Sequence, residues 1–188
     1  MCLNNWGGID HKVLEFHEYV NLFSGKSGSG KSTVMDAIQV ILYGSFSPSF
    51  LNKAADDAKN RRSVLSYLRG EQKDGSANRK DCDFCSVIAL EIEDTGTHII
   101  TCIGIAFEVR KSDSEIKKFV YFSHSGKMPE SEYLTEQGVC YSNQEIKKLI
   151  SARTKSDDNR GKGEVNRIYG SKDCLLYTSP SPRDSTSS

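Results

Sequence analysis

Residues Gly25, Lys26, Ser27, Gly28, Ser29, Gly30, Lys31 and Ser32 fit the phosphate-cradling pattern G-x-x-x-x-G-K-[ST] at every fixed position. The chemistry follows from the residue types. Glycines let successive backbone N–H groups turn inward around a phosphate, and such a loop ends at the positive N-terminus of a helix. Lys31 supplies a flexible point charge for β- and γ-phosphates, and the Ser32 hydroxyl is of the kind that sits on Mg²⁺. Thr33 stands at the first helical turn, where its N–H and hydroxyl can meet the α-phosphate. The pattern therefore predicts ATP and Mg²⁺ as ligands. The opposing reading, a chance Gly/Ser-rich loop, is weakened by the flanking sequence.

A loop of this kind needs a strand before it and a helix after it. Residues 13–23 are rich in β-branched and aromatic side chains and predict a strand that runs into Ser24 and Gly25. After the loop, Val34, Ala37, Ile38, Ile41 and Leu42 recur at helical spacing, and Gly44 stands where a C-terminal cap belongs. Upstream, residues 1–6 read as a short strand, with Gly7 and Gly8 as a turn. Trp6, close to that turn, is expected to anchor packing rather than to stack on a base.

The composition, 37% hydrophobic and 27% charged over 188 residues, is that of a globular domain with one core. No apolar run approaches the ~18 residues of a membrane span, and no signal peptide is evident, so a cytoplasmic setting without membrane contact is expected. Lys plus Arg equals Asp plus Glu at 25 each, so any surface for nucleic acid must be local. The six cysteines are unevenly spaced and read as free thiols. Cys82 and Cys85 form a C-x-x-C pair, but a structural zinc needs about four ligands and no second pair or close histidines follow. The four histidines show no ligand or triad spacing.

Residues 52–70 read as mostly helical and locally basic. Arg61, Arg62 and Arg69 are candidates for DNA phosphates or the nucleotide, set against an ordinary solvated helix face. From residue 82 onward the character changes to three β-rich runs, at 84–93, 98–109 and 118–123, with a hairpin signal at 94–97. They predict an antiparallel meander. Four apolar residues before the acids of 87–94 resemble a Walker B strand, but the alternation Leu90, Glu91, Ile92, Glu93 favours a half-exposed antiparallel strand. Ser142 and Glu145 form a capping box that opens an amphipathic helix, and residues 151–172 read as a basic linker or DNA-facing arm.

Taken together, the loop, the run from Gly30 to Ile38, the Asn5-Trp6-Gly7 word and the words at 50–54 and 62–70 resemble the N-terminal half of an SMC/Rad50-like ABC ATPase head. The similarity is to SbcC/MukB-type ATPases, especially the JetC subunits of Wadjet plasmid-defence systems, and it covers about residues 1–170. The resemblance implies an α/β P-loop NTPase fold, here an incomplete head half carrying an antiparallel β meander. In such proteins a long coiled coil leads to a C-terminal half with the signature motif and Walker B, and two heads sandwich ATP while acting on DNA. None of those later parts is present in this sequence, and the glutamine that senses the γ-phosphate is not placed among Gln72, Gln137 and Gln144. Residues 174–184 look like a translated sequencing adapter, so 171–188 is expected to be a non-native tail and the natural chain to be longer. Two other readings compete: a self-contained P-loop kinase, and a nucleotide-gated DNA-binding module without catalysis.

Overall fold

The computed structural model describes residues 1–48, 51, 62–72, 74–157 and 165–170. Its spine is a six-stranded sheet made of β1 (Cys2–Trp6), β2 (Ile9–Val13), β3 (Phe84–Glu93), β4 (Ile100–Val109), β5 (Lys118–Ser125) and β6 (Arg167–Tyr169). The strand order is β2-β1-β3-β4-β5-β6, and every neighbouring pair is antiparallel. The predicted meander is therefore present as β3–β4–β5, closed at 94–97 by Asp94, whose Oδ1 accepts from the N–H groups of Gly96 and Thr97. Sequence-local hairpins explain this order: each strand pairs with the next in the chain except where β3 pairs with β1.

Helices cover both faces of the sheet. Ile88 and Leu90 of β3 pack with α1 (Lys31–Tyr43) and α2 (Val64–Arg69), while Val87 and Ala89 pack with α3 (Asn143–Asp157). This parity is the period-two alternation of a strand. It also corrects the half-exposed reading of β3: Ser86 to Leu90 are buried on both faces, and only the end beyond Glu91 opens to solvent. In β1 the alternation breaks at Asn5, which adopts the left-handed region at φ 57° with its Nδ2 donating to the Cys85 carbonyl at 2.7 Å. Leu3 and Trp6, three residues apart, thus join the same core.

The α3 face is held by a polar knot. His124 Nδ1 donates to the Ser125 carbonyl at 3.0 Å, so its Nε2 must accept from the Tyr133 hydroxyl, also at 3.0 Å. Burial holds the His124 imidazole at a pKa of about 4 and therefore neutral. α3 opens on the expected capping box: Glu145 N–H donates to Ser142 Oγ at 3.3 Å, and Ser142 N–H donates to Glu145 Oε2 at 2.7 Å.

Three further expectations change. The helix sought over 52–70 is α2 alone among the described residues, capped by Ser63, whose Oγ accepts from Ser66 N–H. Residues 151–172 are not simply a linker, because α3 runs to Asp157 and β6 pairs with β5. The strand predicted for 13–23 stops at Val13. Leu14 still continues the ladder, its N–H donating to the Met1 carbonyl at 2.8 Å, but beyond it the chain leaves β1, and strand preference is realised only through pairing. The tail at 171–188 lies outside the described residues.

Candidate functional site

The loop at 25–30 turns on its glycines. Gly25, Gly28 and Gly30 have φ of 150°, 85° and 89°, conformations in which L side chains are strained. Nothing lies within 4 Å of where a Cβ would project from Gly28 or Gly30, so the loop faces open space there. Gly30 is the N-cap of α1, and its carbonyl accepts from Val34 N–H at 3.1 Å. No side chain caps this end and no acid occupies the first turn, so the positive pole of the helix keeps its capacity for an anion.

Lys31 bends back over the loop. Its Nζ donates to the Gly25 carbonyl at 2.7 Å, the Lys26 carbonyl at 3.0 Å and Ser29 Oγ at 3.3 Å. An ammonium set among oxygens at the mouth of the loop can transfer those bonds to phosphate oxygens. Ser32 is exposed on the first turn of α1, and Thr33 is partly buried. Ser27 and Ser29 lie exposed along the loop. The residue types and the left-handed glycines fit a nucleotide phosphate, with Ser32 available to a cation.

Trp6, expected to anchor packing, does so, and with Tyr67 and Asp36, which the sequence did not single out, it holds α1 in place. Trp6 Nε1 donates to the Thr33 carbonyl at 2.8 Å, and the indole stacks on Tyr67 at 5.0 Å and 9°. The Tyr67 hydroxyl donates to the buried carboxylate of Asp36, on the core side of α1. Burial, helped by Asp36, pushes the Tyr67 phenol well up. Asp36 was legible as an acid one turn before Val40 on an apolar helical face; Tyr67, thirty-one positions on, carried no such signal.

The DNA candidates are dispersed. Arg61 lies outside the described residues. Arg62 sits over the Tyr67 ring at 5.6 Å. Arg69 Nη2 donates to the carbonyls of Asp113 at 2.5 Å and Lys111 at 3.2 Å, engaged within the fold. Among the described residues no cluster of three or more His, Cys, Asp or Glu is placed to hold a metal; Cys85 is pushed up to about 11 by burial, whereas Cys82 is exposed.

The acids of β3 lie away from the loop. The Trp6–Thr33 contact lies at the Cys85 end of the strand, where Asn5 bonds the Cys85 carbonyl. Glu91 is six residues further along, about 20 Å at ~3.3 Å per residue, and its Oε2 accepts from Met128 N–H at 2.7 Å. Glu93 lies beyond it.

Residues 1–58 match a family model described as the P-loop containing region of AAA domain. The matched stretch takes in the β1–β2 hairpin, the loop and α1. No curated protein matches the chain. Among the described residues no helix is long and apolar enough to cross a membrane. The chain thus opens with a P-loop NTPase-like region whose sequence and geometry suit nucleotide binding.

Proposed function

We propose that this chain is the N-terminal lobe of an SMC/Rad50-like ATPase head that binds ATP and Mg²⁺ on residues 25–33, and that the intact protein hydrolyses ATP in DNA processing or plasmid defence. The observation that carries the nucleotide reading is the loop: left-handed glycines at 25, 28 and 30, the Lys31 ammonium over loop oxygens, and an uncapped helix N-terminus. Loop N–H groups and Lys31 bind and orient the phosphates, and Ser32 holds the cation. Mg²⁺, when bound, neutralises charge developing on the transferred phosphoryl group.

Hydrolysis also needs a group that positions water. Glu91 and Glu93 stand at the far end of β3, which also argues against a self-contained kinase. The lobe alone therefore binds nucleotide without turning it over. Exposed apolar side chains before the loop and along α1 support a second lobe packed against them. Phe16, Tyr19, Val20 and Leu22 are exposed before the loop, and Met35, Leu42 and Tyr43 are exposed on α1. The C-terminal half of the same head, bringing a strand for residues 14–23, is the partner that this surface suits, and paired heads would complete the site. Arg61, Arg62 and Arg69 remain the DNA candidates within this reading, Arg69 being the weakest because its guanidinium is already engaged.

Equilibrium dialysis of Mg–ATP against the wild-type chain and Lys31→Ala tests the binding claim. Saturable binding lost in the variant is expected. Equal affinity in both chains would overturn the nucleotide reading, and steady hydrolysis that Lys31→Ala abolishes would overturn the incomplete-site reading.

A further inference from the structure

Beside the loop, the hairpin turn between β1 and β2 is wedged against the first turn of α1. Trp6 Nε1 holds the Thr33 carbonyl at 2.8 Å. Gly7, at φ 59°, has no room for a side chain, because a Cβ would lie 2.5 Å from Thr33 Cγ2. From the other side Gly7 N–H donates to the Tyr67 carbonyl at 2.8 Å, and its own carbonyl accepts from Arg79 Nη2 at 2.5 Å. Arg79 is buried. Its Nε donates to the Leu68 carbonyl at 2.9 Å, its Nη1 to Asp10 Oδ1 at 2.8 Å, and its guanidinium lies 5.7 Å from the centre of the Phe84 ring. Gly70 completes the wedge, since a Cβ there would lie 2.5 Å from the Gly7 carbonyl. One arginine thus ties the hairpin turn to the end of α2, and the turn abuts the residue next to Ser32.

We propose that the Trp6–Gly7 corner, locked by Arg79, sets the height of the first turn of α1 and thereby aims Lys31, Ser32 and Thr33 at the nucleotide phosphates. Gly7 and Arg79 are positioning residues in this scheme, which rests on the nucleotide-binding reading of the loop. A methyl group at position 7 would lie 2.5 Å from Thr33 Cγ2, about 1 Å inside an ordinary carbon–carbon contact of ~3.5 Å, so Thr33 must shift or turn its side chain away. Either response disturbs a residue expected to meet the phosphates, so a loss of about tenfold in Mg–ATP affinity, ~1.4 kcal/mol, is expected.

The test compares Gly7→Ala, Thr33→Ser and the double variant in the full chain. Mg–ATP affinity is measured by dialysis, and amide hydrogen exchange of residues 33–35 is measured without nucleotide. Gly7→Ala weakens binding and speeds exchange. Thr33→Ser removes the colliding methyl, so the double variant returns towards Thr33→Ser alone in both readouts while the left-handed strain at residue 7, and its lowered melting temperature, persist. A merely structural role would move the melting temperature and leave affinity unchanged. Affinity of Gly7→Ala within about twofold of wild type, or a double variant no better than Gly7→Ala, overturns the proposal. Should wild type and Lys31→Ala alike fail to bind, the nucleotide reading is what fails, and exchange at 33–35 alone decides the corner's role: unchanged exchange overturns it, and rescued exchange sustains it. If Gly7→Ala does not fold, Arg79→Lys is read by the same two measurements, because a lysine cannot span the Leu68 and Gly7 carbonyls together.

Discussion

Tyr67→Phe removes one hydroxyl and little else. The ring is 2% exposed, its stack on Trp6 at 5.0 Å survives, and Arg62 keeps a ring face at 5.6 Å. What is lost is the bond to Asp36, itself 3% exposed, and the buried carboxylate forfeits a donor. Hydrogen bonds to charged groups contribute about 1.5–3 kcal/mol, so a loss of about 2 kcal/mol is expected. With a urea slope of ~2 kcal/mol/M, the unfolding midpoint drops by about 1 M. Trp6, the single tryptophan, stacks on the altered ring and so reports the transition by its emission. In an Asp36→Leu background the same substitution should cost close to nothing, because the acceptor has gone. A Tyr67→Phe chain within about 0.5 kcal/mol of wild type would refute the claim that this pair pins α1 to the β1–α2 corner.

Acidification should weaken the fold through His124. Its imidazole is held at about 4 in the folded chain against an ordinary value near 6.5, so between those values the unfolded chain binds the extra proton. Stability therefore falls as pH drops from about 6.5 to about 4, by roughly 3 kcal/mol in all, and His124→Gln should flatten that slope in urea titrations at stepped pH. Gly104→Ala should also destabilise the sheet. A Cβ there meets Phe122 Cζ at 2.5 Å and the Ile88 carbonyl at 2.7 Å, so overpacking by about 1–3 kcal/mol is expected, and an unchanged melting temperature would count against this packing.

Local chemistry was readable without the fold. The loop motif, the α1 span and its Gly44 cap depend on contacts within a few residues, and Gly44 N–H does donate to the Val40 carbonyl at 3.0 Å. The capping box at Ser142 and the three meander strands are local in the same sense. The reading failed where a strand needed a neighbour. Residues 15–23 have strand composition, yet the chain leaves the β1–β2 ladder after Leu14 pairs with Met1, whereas Arg167–Tyr169 pairs with β5 despite its linker-like context. Burial of β3 on both faces was hidden because the acids at its end imposed an alternating pattern on a strand that lies between two helical layers.

The sequence by itself determined that this chain carries a P-loop motif leading into a helix, because glycine conformation and the lysine and serine types are properties of consecutive residues. Only the tertiary structure decided what steadies that loop. The clamp joins Gly7, Thr33, Tyr67 and Arg79, separated by up to seventy-two positions, and such contacts arise when the sheet brings distant segments together rather than from any periodicity along the chain.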